Sequence, residues 1–193
     1  MRFQSILLLS LILLSSFIQA QDNSITLPKE KPALVTLDYD TDLLTKEFFL
    51  KNRDALRQLM PRNSAAIFFA NPVRNRSNDV DYEYHQDPNF YYLSGLREPH
   101  AVLLIFKETQ IFADGTQTDE ILFLQKRDPS NDLWTGKRQG TEGAIKFLGL
   151  NSAFTGGEFA SFETEFNSFD KLLITRLPED VNNEEEENDF FDI

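Results

Sequence analysis

The sequence has no cysteine and only two histidines, His85 and His100, and these absences exclude several kinds of site. Without cysteine there is no disulfide framework, thiolate zinc site, cysteine nucleophile or iron–sulfur cluster. Two histidines are too few for an imidazole-rich metal centre. The chain also lacks an excess of basic residues. Its net charge of −12 argues against nucleic acid or an anionic membrane as a partner, because both attract basic patches.

The residues that are present suffice for one folded domain with appendages, since 41% of the 193 residues are hydrophobic. Residues 1–20 combine Arg2, an apolar run over Ile6–Leu14 and small residues up to Ala20, which is the pattern of a secretory signal peptide. That run falls well short of the roughly 20 apolar residues of a membrane span. We therefore predict cleavage near Ala20 and an exported protein, periplasmic or secreted, without a membrane anchor.

The end of the chain is strongly acidic. Residues 178–193 carry eight acidic side chains and no basic one, which predicts an acidic tail or a linker to a further domain. Most of the negative charge is therefore local to this tail. The resulting division is a signal peptide over 1–20, an extended lead-in over 21–44, a folded domain over 45–177 and the tail over 178–193.

The folded part alternates helical and strand patterns. Helices are predicted over Lys46–Met60, Gly143–Leu148 and Glu158–Phe169. Strands are predicted over Ala65–Ala70, Ala101–Phe106, Glu120–Leu124 and Lys171–Thr175. Turn residues at 113–116 predict a hairpin between the two middle strands. This order predicts an α/β domain with a mixed β-sheet flanked by helices.

Three acidic residues alternate along residues 78–84. In an extended strand, Asp79, Asp81 and Glu83 would share one face and could bind a hard cation, as in an exported phosphatase or nuclease. The other interpretation is an exposed edge face with the tyrosines packed inward. We favour this second interpretation, because no histidine pair or further acidic cluster accompanies the three carboxylates.

Other polar and aromatic residues admit simpler interpretations. Asp87 and Pro88 are typical of the start of a helix or a turn, and Gly95 closes the apolar segment that follows. His85 is predicted to be an interior hydrogen-bonding residue and His100 a surface residue. The only tryptophan, Trp134, fits a core position and an exposed binding position equally well.

A series of short motifs runs in order along residues 78–138. The motifs are Asn78-Asp79-Val80-x-Tyr82-x-Tyr84-x-Gln86-Asp87, Phe90-Tyr91-Tyr92-Leu93-x-Gly95, Glu98-Pro99, Arg127-Asp128-Pro129 and Trp134-x-Gly136-x-Arg138. In this order they resemble the N-terminal domain of aminopeptidase P, and the resemblance extends over about Leu44–Ile174.

The resemblance implies a fold and a two-domain enzyme. The N-terminal domain would be ribonuclease-H-like, and in the family a larger "pita-bread" domain follows and holds two manganese ions with Asp, His and Glu ligands. The family removes the N-terminal residue before proline from Xaa-Pro peptides. The matching ligand positions do not occur in these 193 residues. We therefore expect that the chain contains no catalytic residue, binds no metal and hydrolyses nothing by itself.

The resemblance implies that two residues of this chain bind substrate. Asp79 matches an acid near the N-terminal end of the substrate. Trp134 matches a tryptophan that covers the peptide from an adjacent subunit, where its indole suits the rigid proline ring. The resemblance also implies peptides with proline at the second position as partners, and a homo-oligomer.

Two other functions remain open at this point. One is a stand-alone, non-catalytic binding or oligomerisation module. The other is a small metal-dependent hydrolase that uses Asp79, Asp81 and Glu83.

Overall fold

A computed structural model describes residues 44–112, 115–159, 161–162 and 166–175, all of which belong to the unit Ala33–Ile193. The predicted signal peptide, nearly all of the predicted lead-in and the predicted acidic tail lie outside these residues. Within the described part of the chain, no helix has the length and apolar character needed to cross a membrane.

Two of the three predicted helices and all four predicted strands occur close to their predicted positions, and further short elements lie between them. The helices are α1 (Lys46–Leu59), α2 (Pro88–Ser94), α3 (Asp132–Thr135), α4 (Gly140–Leu148) and α5 (Gly156–Phe159), with a 3₁₀ turn at Phe166–Ser168. The strands are β1 (Ser64–Phe69), β2 (Asn75–Ser77), β3 (Val80–Asp81), β4 (Val102–Ile111), β5 (Gln117–Leu124), β6 (Ala153–Thr155) and β7 (Lys171–Ile174).

Five strands form one mixed sheet in the order β6-β5-β4-β1-β7. Strand β4 pairs antiparallel with β1 and with β5, whereas both edge strands join in parallel. The predicted hairpin is thus confirmed, and its strands are longer than the apolar runs suggest. The predicted α/β class with a mixed sheet is also confirmed.

Side chains of the central strands alternate between two apolar clusters, as the two-residue period of a strand requires. In β4, Leu103 and Ile105 face α1, α2 and α4, whereas Val102, Leu104 and Phe106 face the opposite side. That opposite side is dominated by phenylalanine. The half-buried rings packed there are Phe69, Phe112, Phe154, Phe159, Phe162, Phe166 and Phe169.

The helix predicted over Glu158–Phe169 is wrong for the described residues. Helix α5 ends at Phe159, and a separate 3₁₀ turn begins at Phe166. The phenylalanine spacing mimics a helical face, but the rings instead pack on the sheet through short turns. In one of these turns the Phe162 amide donates to the Phe159 carbonyl over 3.1 Å. Tertiary packing here overrides local periodicity.

A buried ionic network joins the helices to the sheet. Arg53 of α1 has no exposed surface, and its Nε donates to Glu120 Oε2 of β5 over 2.8 Å. Its Nη1 donates to the Leu93 carbonyl at the end of α2, and its Nη2 to the Gly149 carbonyl after α4. Arg57 Nη2 binds the same Glu120 oxygen at 2.8 Å. One guanidinium therefore fixes three elements relative to α1.

Replacing Arg53 tests this network. Arg53→Met should lower the free energy of unfolding by about 3 kcal/mol, because it leaves two backbone carbonyls unpaired and removes one partner of a buried charge. Urea unfolding followed by circular dichroism measures the change. Arg62→Met, at an exposed arginine after the same helix, is the control and should change stability by less than about 0.5 kcal/mol. Equal effects of the two variants would contradict the assignment.

Candidate functional site

The motif segment that precedes β4 begins with a well-capped short helix. Asp87 Oδ1 accepts a hydrogen bond from the Phe90 amide over 2.8 Å, and Pro88 occupies the first turn of α2. The helix ends at Gly95, whose φ of 74° is left-handed. A Cβ at Gly95 would lie 2.7 Å from the ring of Phe49, so the packing of α1 also requires glycine there. Asp87 and Pro88, predicted to start a helix or a turn, thus start a helix, and Gly95 ends it.

Two polar motif side chains tie separate backbone segments together. The Tyr84 hydroxyl donates to the Asn71 carbonyl over 3.0 Å, and burial raises the pKa of that hydroxyl. Gln86 Nε2 donates to the carbonyls of Leu96 and Glu98, while its Oε1 accepts from the Asn71 amide. These side chains therefore stabilise the backbone conformation of residues 71–98.

Glu98 is a buried acid at the edge of this segment. Glu98 is only 4% exposed, and its Oε1 accepts a hydrogen bond from the Gln139 amide. Oε2 is buried without a hydrogen-bond partner in the described part of the chain. Burial raises the pKa of this carboxyl group to about 7, although the Gln139 amide and the charge of Arg138 both act to lower it.

The loop that carries the only tryptophan is defined here as the Trp134 loop, residues 125–139. Asp128 shapes its first half: Oδ1 accepts from the Ser130 amide over 3.0 Å and from the Ser130 hydroxyl, and these bonds lower the pKa of Asp128. The Trp134 amide donates to the Asn131 carbonyl over 2.9 Å. Trp134 is 84% exposed, as is its neighbour Leu133 at 85%. The structure thus places Trp134 at the surface and excludes the core position.

Asp79 lies at the tip of an exposed hairpin. Strands β2 and β3 flank the turn, in which Asn78 has a left-handed φ of 53°. Asn75 Nδ2 donates to the Asn78 carbonyl over 2.7 Å and holds the turn. The side chain of Asp79 is exposed. Both predicted substrate-binding residues therefore face solvent, on two separate loops.

The extended strand predicted over residues 78–84 is wrong. Strand β3 contains only Val80 and Asp81, so Asp79 and Glu83 do not share a strand face with Asp81. The physical reason is the tight turn at residues 78 and 79, which places Asp79 in the turn and leaves only a short strand after it. Tyr82 is 58% exposed, and the predicted inward packing of tyrosines holds only for the half-buried Tyr84.

A metal does not fit the side chains that the structure describes. Among residues 44–112, 115–159, 161–162 and 166–175, no group of three Asp, Glu or His side chains is arranged to hold an ion. The three-carboxylate hydrolase therefore has no structural support. The function proposed for this chain therefore assigns no chemistry to a metal bound by these residues.

The predicted environments of the two histidines are reversed. His85 is exposed, whereas His100 is 4% exposed and has a left-handed φ of 53°. His100 lies in the bend between Pro99 and β4, where the chain enters the sheet, and its neighbours are buried. Its position directly before the apolar run Ala101–Phe106 was the available signal for burial.

No role is predicted from the sequence for Glu98, which is part of the motif Glu98-Pro99. The signal in the sequence is an acidic residue followed by proline and, one residue later, by the apolar run of a buried strand.

The raised pKa of Glu98 predicts a pH-dependent stability. A carboxyl group with a pKa near 4.5 when unfolded and about 7 when folded stabilises the fold fully below pH 4.5, and this contribution is lost as the pH rises through 7. The loss should amount to about 3 kcal/mol. Position 98 cannot titrate in Glu98→Gln. The free energy of unfolding of the wild type minus that of this variant should therefore fall by about 3 kcal/mol between pH 4.5 and 8.

Urea unfolding at several pH values measures this difference. Glu83→Gln, at an exposed acid, is the control and should give a difference that stays flat with pH. A flat difference for Glu98→Gln as well would show that Glu98 titrates normally.

The chain is similar to known proteins in both sequence and structure. Residues 49–172 match the family model described as "Aminopeptidase P, N-terminal domain". The chain is 38% identical over 118 residues to the Xaa-Pro aminopeptidase of Haemophilus influenzae, a match that covers 61% of this chain and 26% of that protein. It is 40% identical over 100 residues to human Xaa-Pro aminopeptidase 3, covering 50% of this chain and 19% of that protein.

Solved structures give the same result. Aminopeptidase P from Escherichia coli with the inhibitor Pro-Leu superposes with a TM-score of 0.60 at 30% identity, over 69% of this chain and 29% of that chain. Aminopeptidase PepP of Pseudomonas aeruginosa gives a TM-score of 0.54 at 35% identity, over 62% of this chain and 26% of that chain. The matched region thus spans about a quarter of the length of these proteins.

Proposed function

We propose, from the premise that this chain belongs to the aminopeptidase P N-terminal domain family, that it forms part of the substrate pocket and of the subunit contacts of a manganese-dependent Xaa-Pro aminopeptidase. The substrates would be peptides with proline at the second position. The residues that hydrolyse the peptide bond, and those that hold the metal, would lie outside the described residues. The observation that carries the proposal is the exposure of Trp134 within a motif of the family.

Trp134 is suited to contact a proline ring. An indole that is 84% exposed in the isolated domain leaves a large apolar surface in water, which favours a role completed by another molecule. Proline stacks on an aromatic face with little loss of conformational entropy, because its ring is already rigid. The hydrogen bonds around Asp128 and Asn131 fix the backbone that presents the indole.

Asp79 would contribute charge rather than apolar surface. An aminopeptidase substrate carries a free, positively charged N-terminal amine, and a carboxylate within a few ångströms attracts it. The tip of a hairpin allows Asp79 to reach a substrate bound against a neighbouring subunit or domain. Because the residue is exposed, the attraction is modest and weakens with salt.

Oligomerisation and export complete the proposal. Neither exposed residue lies in an enclosed pocket of its own domain, so a second protomer or a further domain would supply the remaining walls.

The proposal that the protein is exported rests on the charged, apolar and small-residue pattern of residues 1–20. Mass spectrometry of the mature protein tests the signal peptide: an N-terminus at or near Gln21 is expected, and a retained Met1 would contradict cleavage.

A chimaera tests the role of Trp134. Residues 45–177, joined to the catalytic remainder of the Haemophilus influenzae Xaa-Pro aminopeptidase, should hydrolyse an Ala-Pro-Ala peptide in the presence of manganese, whereas the 193-residue chain should not. Trp134→Ala should then raise KM about tenfold, since it removes one aromatic contact to the proline.

Leu133→Ala is the matched control, because Leu133 is the adjacent side chain and equally exposed. It should leave KM within about twofold. Turnover by the 193-residue chain, or equal effects of the two substitutions, would contradict the proposed function.

The same chimaera tests Asp79. Asp79→Asn should raise KM for Ala-Pro-Ala about two- to fivefold at low salt, as expected for an exposed ion pair, with little change in kcat. The effect should shrink as the salt concentration is raised. Asp81→Asn, two residues away in the same hairpin, should not change KM, and an equal effect would mean that only the overall charge of the hairpin matters.

A further inference from the structure

The Trp134 loop is closed at its base, where its two ends meet. Gly140, directly after the loop, has a φ of 65°, and a Cβ there would lie 3.0 Å from Cβ of Arg127. Between these ends, Leu133, Trp134 and the residues up to Lys137 are exposed. The position of the indole therefore depends on how firmly the base is held.

The exit from the loop is fixed by one buried polar contact. Gln139 is 7% exposed, and its amide donates to Oε1 of Glu98. Its side chain folds over the first turn of α4, where a Cβ at Gly143 would lie 2.8 Å from Gln139 Nε2. Glu98 belongs to the segment before β4, so this hydrogen bond ties the loop to the body of the domain.

We propose that Glu98 is a positioning residue for the Trp134 loop: its carboxyl group holds the Gln139 amide and so fixes the direction in which the loop presents the indole. That the indole then meets a proline rests on the function proposed above. The positioning itself does not, since it concerns contacts within this chain.

The strength of this contact depends on the charge of Glu98. An ionised carboxylate is a stronger acceptor for an amide N–H than a neutral acid, and it also suits the N-terminus of α4. The charge of Arg138 favours the ionised form of Glu98. The Tyr84 hydroxyl, whose pKa is raised by burial, is neutral and donates over 3.4 Å to the backbone carbonyl of Glu98. Ionisation therefore tightens the base of the loop, even though burying the charge costs global stability.

The only tryptophan of the chain makes the loop directly observable. In the wild-type chain, the fluorescence anisotropy of Trp134 should increase as the pH is raised through the range in which Glu98 ionises. Glu98→Gln keeps an acceptor oxygen but cannot ionise, so its anisotropy should not change with pH. Glu98→Ala should give an anisotropy below that of both proteins at every pH.

Amide hydrogen exchange at Gln139 provides the second measurement. At one fixed pH, exchange should be at least about tenfold faster in Glu98→Ala than in the wild type, as expected when a hydrogen bond to a charged group is lost. Glu98→Gln should restore most of the protection. The Asn151 amide, which donates to Glu120 Oε1 over 3.3 Å, is the internal control and should keep its wild-type rate.

Glu83→Gln is the control variant and should keep the wild-type anisotropy profile. A wild-type profile in Glu98→Gln would overturn the proposal, and so would unchanged exchange and anisotropy in a folded Glu98→Ala. If Glu98→Ala does not fold, the profile of Glu98→Gln decides. No peptide enters these measurements, so a chimaera without Xaa-Pro turnover would overturn the proposed function and leave the positioning role intact.

Discussion

The buried contact between Arg53 and Glu120 is the interaction on which the arrangement of this domain depends. A guanidinium with no access to water must find a partner for each donor, and here the partners are Glu120 and two helix-end carbonyls. That requirement fixes α1 against β5 and against the ends of α2 and α4. The segment that follows α2 and the loop that precedes α4 are thereby placed next to each other.

The motif residues divide by this arrangement into two groups with different roles. Tyr84, Gln86 and Glu98 are turned inward and hold backbone segments in place. Asp79 and Trp134 point to solvent on exposed loops. The motifs of this chain thus combine side chains that hold the fold together with side chains that are exposed on its loops, and the exposed ones are accessible to another molecule.

How much could be predicted from the sequence follows the range of each interaction. The boundaries of α1, a helix or turn start at Asp87 and the hairpin of β4 and β5 were predictable, because caps, turns and apolar periodicity act over a few residues. The long helix through Phe162 was wrong, because its rings pack on the sheet instead. The environments predicted for His85 and His100 were interchanged, because burial depends on packing against the sheet as well as on the apolar run next to His100.

The sequence by itself determined the family, the class of fold and the residue types that a site could use. Ordered motifs, an absence of cysteine and a local acidic tail are properties of the chain and need no coordinates. Only the tertiary structure decided that Trp134 is exposed, that Asp79 does not form a carboxylate cluster and that Glu98 is buried beneath the Trp134 loop. The physical reason is that exposure, charge and pKa are set by packing between elements far apart in sequence.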